Sequence, residues 1–549
     1  MYSNSKAHIK LAGHISNEIH INKGTEQGHP LSPDLFKLFF KDLSPLLNFT
    51  NCPSLVNQIV SHLLWADDLV LLALDPVTLQ NQLNILDKYC HQWGVEINMT
   101  KTKLLIFNGS NYATRNHNDN INNLTINGEA LERVYSYCYL GIDITDTGSF
   151  KISLKNLKIK ATRALINLKR TIDRTVISFK SCCALFDALV KPILLYATQI
   201  WFPSLLICRK GLNEKSSWLD NSHKYEKSVE LLKKMSSEIY ENVHLKFLKW
   251  VLGVHPKASN IGVWGETGRH PLTFDCLKLT LNYFYRVKNL NDNSILSLAF
   301  EEQKVCKLAW HEHLIAIINN STPPIDSILC ENRPISEVHV QQARPQPQPQ
   351  PSAFLIHNGF VRDPNRINQI NNETKTVLNY NRDKFYQCWN EIKSKSPKLS
   401  FYHQCKTIFQ QESYLSDINN FNDRASLTRI RISAHDLKIE TGRYSNLPQE
   451  ERICPWCELT MDKRITENEQ HFLLNCDLYN TPRRAFLNYI NISNPTPLTL
   501  SLKSFLTVQN NASHNRTLSK TIHNMIKVRE KFILSLETED NPHSNPLIT

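Results

Sequence analysis

Glycine is scarce in this chain. There are 15 in 549 residues, well under half the roughly 7% usual in proteins, which excludes collagen-like repeats and glycine-rich linkers. No secretory leader is expected either: residues 1–10 carry polar side chains and two lysines where an apolar stretch belongs. No long hydrophobic run is present. The best candidate, residues 192–208, contains Gln199 and Pro203, is bracketed by Lys191 and Arg209, and sits at the short limit for spanning a bilayer. It reads as a buried helix or strand. The 14 cysteines are mostly scattered singly through apolar stretches, the pattern of reduced, core-packing thiols. The expectation is an intracellular protein, nuclear or cytoplasmic, not secreted and without a membrane partner.

What is present points to packed cores. Apolar residues make up 41% and charged residues 21%, and the length allows three to four domains at roughly 150 residues each. Lys and Arg exceed Asp and Glu by 63 − 51 = 12, which favours a polyanionic partner such as nucleic acid. Residues 1–150 mix short apolar runs with segments of helical period, such as Leu79, Leu83, Leu86 and Cys90, the signature of an α+β domain. From Phe150 the pattern turns helical: Leu154, Leu157, Ala161, Ala164, Leu165 and Leu168 share one stripe, with Arg163 and Arg170 opposite. Residues 151–335 are therefore expected to be helical. Residues 336–352 include the run QQARPQPQPQP, which cannot build a core and reads as an extended linker. Residues 353–549 read as a second helical region, with helices expected over 377–408 and 518–536.

The most informative local feature is Leu63-Leu64-Trp65-Ala66-Asp67-Asp68-Leu69-Val70-Leu71-Leu72. Two adjacent aspartates interrupt one apolar run, and the simplest geometry is strand, tight turn, strand. Ionised carboxylates beside apolar strands are costly and repel each other unless a cation joins them. Mg²⁺ prefers hard oxygen ligands and keeps positions open for phosphates, and two such ions can serve a phosphoryl transfer. Taken alone, the dipeptide is more often an exposed turn. Its neighbours alter that balance. Upstream lies Gly24-Thr25-Glu26-Gln27-Gly28-His29-Pro30-Leu31-Ser32-Pro33-Asp34-Leu35-Phe36, where the glycines permit unusual backbone angles or close approach of a ligand. Ser32-Pro33 reads as a helix start, with Ser at the N-cap and Pro at the first position. Downstream come Trp93-Gly94-Val95-Glu96-Ile97-Asn98, Lys101-Thr102-Lys103 and, later, Tyr139-Leu140-Gly141.

In this order, these residues resemble the palm of a reverse transcriptase from non-LTR (LINE-like) retrotransposons. The Gly24–Phe36 stretch looks like the family's GxxQGxxLSPxLF element, and Trp65-Ala66-Asp67-Asp68 like its aromatic-Ala-Asp-Asp hairpin. Asn98 with Lys101-Thr102-Lys103 resembles the element that brings a lysine to the phosphates, and Tyr139-Leu140-Gly141 the primer-grip turn. Residues 185–201 and 247–271 resemble the region after the polymerase. The resemblance implies a partial right-hand palm followed by a mostly helical thumb and C-terminal region. It implies Mg²⁺ at the catalytic Asp67 and Asp68, and a template and nucleotide pocket lined by Gly24, Gln27 and Gly28. Lys101 or Lys103 would face the phosphates. Deoxynucleotides, an RNA template and a DNA primer or target are the implied partners. A further metal-binding aspartate, which the family carries in a motif before the Gln27 element, has no recognisable counterpart here. Asp34, Asp42 and Asp143 stand in other contexts. The expectation is therefore a polymerase fragment with little activity alone; the alternative is a non-catalytic nucleic-acid-binding protein.

Near the C-terminus the spacing is Cys454-x2-Cys457-x13-His471-x4-Cys476. Four soft or borderline ligands suit a closed, structural tetrahedral Zn²⁺ site, a small knuckle over residues 454–476. A set of unrelated buried thiols is the bland alternative. A redox CxxC fits less well, because no βαβ pattern surrounds it. Glu469 is a candidate to orient His471 from behind. The resemblance implies that such a knuckle helps bind template RNA or target DNA. Arg483 and Arg484 just beyond it, and the run Lys151, Lys155, Lys158, Lys160, Arg163, Lys169 and Arg170, are candidates for phosphate contact, although a charge run is often only a solvated face.

Overall fold

The computed structural model describes residues 5–21, 24–26, 28–107, 124–205, 225–290, 294–321, 364–490, 505–506, 508–509 and 511–539. Gln27 and the Pro/Gln segment 336–352 lie outside the described residues. The chain divides into two compact units, which are taken in turn.

The first unit comprises residues 1–150, 287–312 and 325–366. Among its described residues the strands pair two by two. Most pairs are antiparallel, and Lys103–Leu105 runs parallel to Glu132–Val134. The helix Pro76–Trp93 organises the core. Asp75 caps its start, accepting from the Thr78 amide at 2.9 Å, and Gly94 ends it in a left-handed conformation. The helical stripe read from the sequence is its buried face: Leu83 packs with Leu104, Leu124 and Ile126, flanked by Leu79 and Leu86. Tyr89 packs with Leu43 and Leu47, and its hydroxyl donates to the Phe39 carbonyl at 3.0 Å. Gln82, fully buried, donates to the carbonyls of Ser61 at 3.1 Å and Leu72 at 3.3 Å. Those two residues flank the aspartate hairpin, so the helix fixes the hairpin at its base.

The second unit comprises residues 151–286, 313–324 and 367–549 and is helical among its described residues apart from short bridges. In Lys151–Thr171 the residues Leu154, Leu157, Ala161, Leu165 and Leu168 are buried while Arg163 and Arg170 face water. The described residues of the apolar stretch beginning at Pro192 form two short helices, Lys191–Leu194 and Thr198–Leu205. The chain bends before Thr198–Leu205, whose Trp201 and Phe202 are buried. Among the described residues no single helix is long and apolar enough to cross a membrane. The helix expected over 377–408 is instead Pro364–Lys395, followed by a break and a short helix Ser400–Cys405. The break falls at Ser396-Pro397, because proline has no N–H to continue the ladder and disfavours helical geometry in the residue before it. Helices from both sides of the Pro/Gln segment share one core: Trp389 donates its indole N–H to the Ile261 carbonyl at 3.0 Å. The division of the sequence at residues 336–352 is thus not a division between separate cores.

Candidate functional site

The aspartate pair sits on a hairpin formed by His62–Trp65 and Asp68–Leu71. Trp65 is opposite Asp68 in an antiparallel register that runs out to His62 and Leu71. The turn residues are Ala66, with φ of 53°, and Asp67. A two-residue connection of this kind follows from a positive φ at its first position, which matches the twist of the strands. The sequence pattern sets the carboxylates beside apolar strands. The structure corrects this: Asp67 and Asp68 stand at the exposed tip, beyond the apolar part of the ladder. Neither carboxylate makes a hydrogen bond or ion pair among the described residues. Two adjacent, uncommitted carboxylates are a donor set that fits a divalent cation of Mg²⁺ type, with positions left for phosphate oxygens.

A second hairpin lies further along the same unit. Ser136–Tyr139 pairs with Ile142–Thr145 through the turn Leu140-Gly141, whose φ values are 47° and 81°. Positive φ at both positions is the tight turn that suits hairpin twist, and it accounts for the glycine. Burial, and then the Asp68 charge, hold the Tyr139 phenol above its usual pKa. The Tyr139 ring therefore lies within electrostatic reach of the aspartate tip.

The upstream segment differs from expectation in detail. Helix Ser32–Phe39 begins one residue earlier than the cap reading requires, with Leu31 at the cap and Ser32 inside. The Ser32 hydroxyl donates instead to the Glu26 carbonyl at 2.6 Å, which ties the glycine segment back to the helix start. Gly24 and Gly28 both have φ of 91°, and a Cβ built on either meets open space. Their requirement is backbone conformation rather than close approach of protein atoms. Further on, Asn98 organises the lysine turn: its Oδ1 accepts from the Lys101 amide at 3.1 Å and from the Thr100 hydroxyl at 2.7 Å. Lys101 is exposed and has no acidic partner among the described residues. Lys103 starts its strand and forms an ion pair with Glu132 at 2.6 Å. Of the two lysines, Lys101 is the one free to meet a phosphate.

In the second unit the four ligands anticipated from spacing converge. One ligand atom each from Cys454, Cys457, His471 and Cys476 lies within 4.8 Å of all the others, and all four residues are buried. The Cys457 sulfur is 3.3 Å from His471 Nε2 and 3.9 Å from Cys476, which is 4.0 Å from Cys454. Four ligands about 2.3 Å from a tetrahedral Zn²⁺ would stand roughly 3.8 Å apart, so the cluster fits. Cys454 precedes the helix Pro455–Met461, and a wide helical turn over His471–Asn475 returns the chain so that the Cys476 amide reaches the His471 carbonyl at 2.8 Å. The thiols are unequal. A bond from Cys476 lowers Cys454 to about 4, whereas burial and the Cys454 charge push Cys457 up to about 11.

Two neighbours of the cluster act otherwise than expected. Glu469 accepts from the Ser433 hydroxyl at 2.7 Å and faces His435 Nε2 at 3.0 Å rather than backing His471. Arg483 is buried and donates to the carbonyls of Leu473 at 2.8 Å and Cys476 at 2.7 Å. It braces the cluster instead of offering a surface charge; Arg484 is exposed.

Residues 2–144 match the family described as reverse transcriptase (RNA-dependent DNA polymerase), a span that contains the aspartate hairpin, the lysine turn and all but the last residue of the second hairpin. Residues 2–144 form a reverse transcriptase domain of the non-LTR, LINE-like kind. Over 167 residues the chain is 29% identical to a retrovirus-related Pol polyprotein from the type-1 retrotransposable element R2 of Popillia japonica, covering 30% of this chain and 27% of that one. It is 24% identical over 188 residues to the RNA-directed DNA polymerase from mobile element jockey of Drosophila funebris, covering 33% and 19%. A putative uncharacterized transposon-derived protein of Caenorhabditis elegans is 29% identical over 151 residues, covering 26% and 49%. The chain thus spans less than half the length of these relatives. Within the reverse transcriptase domain, Glu132 as the partner of Lys103 was not anticipated from the sequence. A parallel strand pair brings them together from 29 residues apart, and no local signal carries that.

Proposed function

We propose that this chain is the palm-bearing part of an RNA-directed DNA polymerase of a non-LTR retrotransposon, acting on an RNA template with a DNA primer or target. The observation that carries the reading is the aspartate hairpin: two uncommitted carboxylates at an exposed tip, inside a reverse transcriptase domain. Asp67 and Asp68 would hold Mg²⁺, which supplies charge stabilisation for the transferring phosphoryl group. Lys101, presented by the Asn98 turn, would neutralise phosphate oxygens of the incoming nucleotide, and Gly24, Gln27 and Gly28 would line the template and nucleotide pocket. Cys454, Cys457, His471 and Cys476 would hold a structural Zn²⁺, completing a knuckle that contributes to nucleic-acid binding.

The 549 residues offer two carboxylates in the family's contexts where it uses three. Poor placement of a triphosphate costs orders of magnitude in rate, so primer extension is expected to be weak. The test is a full-chain assay with RNA template, DNA primer, deoxynucleotides and Mg²⁺. Salt-sensitive template-primer binding with little extension is the expected result. Robust extension abolished by Asp68→Asn would overturn the inactivity and keep the enzyme. Failure to bind template-primer would sink the whole reading.

A further inference from the structure

Three arginines of the second unit invite comparison. Arg431 sends Nε and Nη2 to the two oxygens of Glu266, each at 3.0 Å. Arg529 sends the same pair of nitrogens to Glu467, at 2.7 and 2.8 Å. Those two N–H groups lie parallel on one edge of a guanidinium and match the spacing of two oxygens on one anion. Arg424 is the third. It is 2% exposed, and its Nη1 donates to the Ile418 carbonyl at 3.0 Å. Its Nε and Nη2 are buried and meet no acceptor among the described residues.

Arg424 belongs to the helix Phe421–Arg431, capped by Asn420. Because the guanidinium turns back to the carbonyl of Ile418, it sits at the N-terminal end of that helix, where the peptide dipoles add positive potential. That end is tightly packed: a Cβ on Gly253 would stand 2.7 Å from the Phe421 ring and 2.8 Å from Ala425. The acidic groups that act on Arg424 are Cys182, Tyr414 and Cys183. The two thiols come from Phe179–Leu189 and the phenol from Tyr414–Asp417. Burial raises each of the three above its usual pKa, so all are neutral at neutral pH. Tyr414 already donates its proton to Glu266. Burial also lowers Arg424, but a guanidinium starts so high that it keeps its charge. A buried cation is costly unless it is paired.

We propose that the Nε and Nη2 edge of Arg424 is a buried binding site for a small monovalent oxyanion of carboxylate type, such as formate or bicarbonate. The edge selects an anion with two oxygens on one centre, the partner that Glu266 and Glu467 supply to the other two arginines. One unpaired positive charge favours a single negative one, because a second would itself be buried unpaired. Water can accept from N–H groups but leaves the charge uncompensated. The anion is a structural ligand that neutralises a cation inside the fold, and it takes no part in nucleotide chemistry.

The test uses the full chain, desalted at neutral pH into a buffer whose anion is the bulky sulfonate MES, with ionic strength held constant. Overnight equilibrium dialysis against radiolabelled formate gives local opening time to admit the anion. About one equivalent should be retained per chain, and saturating formate should raise the melting temperature by about 2–4 °C over MES alone. Arg424→Met, similar in length and uncharged, should lose both effects. Arg484→Met, at an exposed position, should keep both. Arg424→Lys keeps the charge but loses the parallel donors, and should hold formate at least about tenfold more weakly; it carries the test where the methionine variant does not fold. Formate no better than MES on the unmutated chain would overturn the proposal, as would chloride that stabilises as well as formate. Retention or a thermal shift that survives in Arg424→Met, or undiminished affinity in Arg424→Lys, would put the ion elsewhere and overturn it too.

Discussion

At the scale of single residues, the cluster around Cys457 shows how a buried polar group can be mistaken for a surface one. Arg483 follows the last ligand closely and looks like a phosphate contact, yet its guanidinium satisfies the carbonyls of Leu473 and Cys476. Arg483→Met keeps most of the volume and strands those oxygens. The expected cost is about 1–3 kcal/mol of stability, read as a lower denaturation midpoint, with weaker zinc retention and no change in the salt slope of nucleic-acid binding. A reduced salt slope at unchanged stability would return Arg483 to the surface role. The thiols make a second prediction. In the metal-free site Cys457 is pushed up to about 11 and is protonated at neutral pH. Zinc ligation must displace that proton, so affinity rises with pH, by about tenfold per pH unit for each proton released. Chelator competition at pH 6, 7 and 8 should show tightening at each step, and a flat profile would argue against thiolate ligation.

At the scale of elements, close backbone approach locks helices of the second unit together. Gly265 lies in Asn260–Thr267, and a Cβ there would stand 2.3 Å from the Tyr402 hydroxyl and 2.6 Å from the Trp389 ring. Both neighbours are fully buried and have nowhere to retreat, so Gly265→Ala should cost about 1–3 kcal/mol by overpacking. A melting temperature equal to the parent's would show that the helices yield. Nothing about Gly265 marks this in the sequence, since the neighbours that forbid a methyl group lie more than 120 residues away. The same division explains what else was legible. The aspartate hairpin, the stripe on Pro76–Trp93 and the ligand spacing of the cluster are patterns of local period, and the structure places them as read. Ser32 does not cap its helix because it already lies inside it, with Leu31 at the cap position and the Ser32 hydroxyl donating to the Glu26 carbonyl. The partners of Lys103 and Glu469 come from strand pairing or helix packing, which periodicity does not encode.

At the scale of the whole molecule, the Pro/Gln segment invites a division that the second unit does not respect. Arg431, from beyond that segment, is fully buried and makes two 3.0 Å bonds to the Glu266 carboxylate before it, with Glu412 at 3.4 Å. Tyr414 donates to the same Glu266 at 2.5 Å. Removing one partner of such a buried pair leaves an uncompensated charge, a loss of about 3–5 kcal/mol, a large share of the 5–15 kcal/mol that typically stabilises a domain. The piece 352–549 is therefore expected to fold poorly by itself, even though it contains all four candidate zinc ligands. The decisive experiment keeps the folded chain and cuts it. A protease site inserted in the Pro/Gln segment, cleaved after folding, should give two fragments that still co-elute on size exclusion, because the shared core outlasts the broken connection. Charge reversal at the buried contact, Glu266→Lys, should make the cleaved halves separate or precipitate. Clean separation of two stable fragments from the unmutated protein would show that Arg431 and Glu266 join two domains that are each stable without the other.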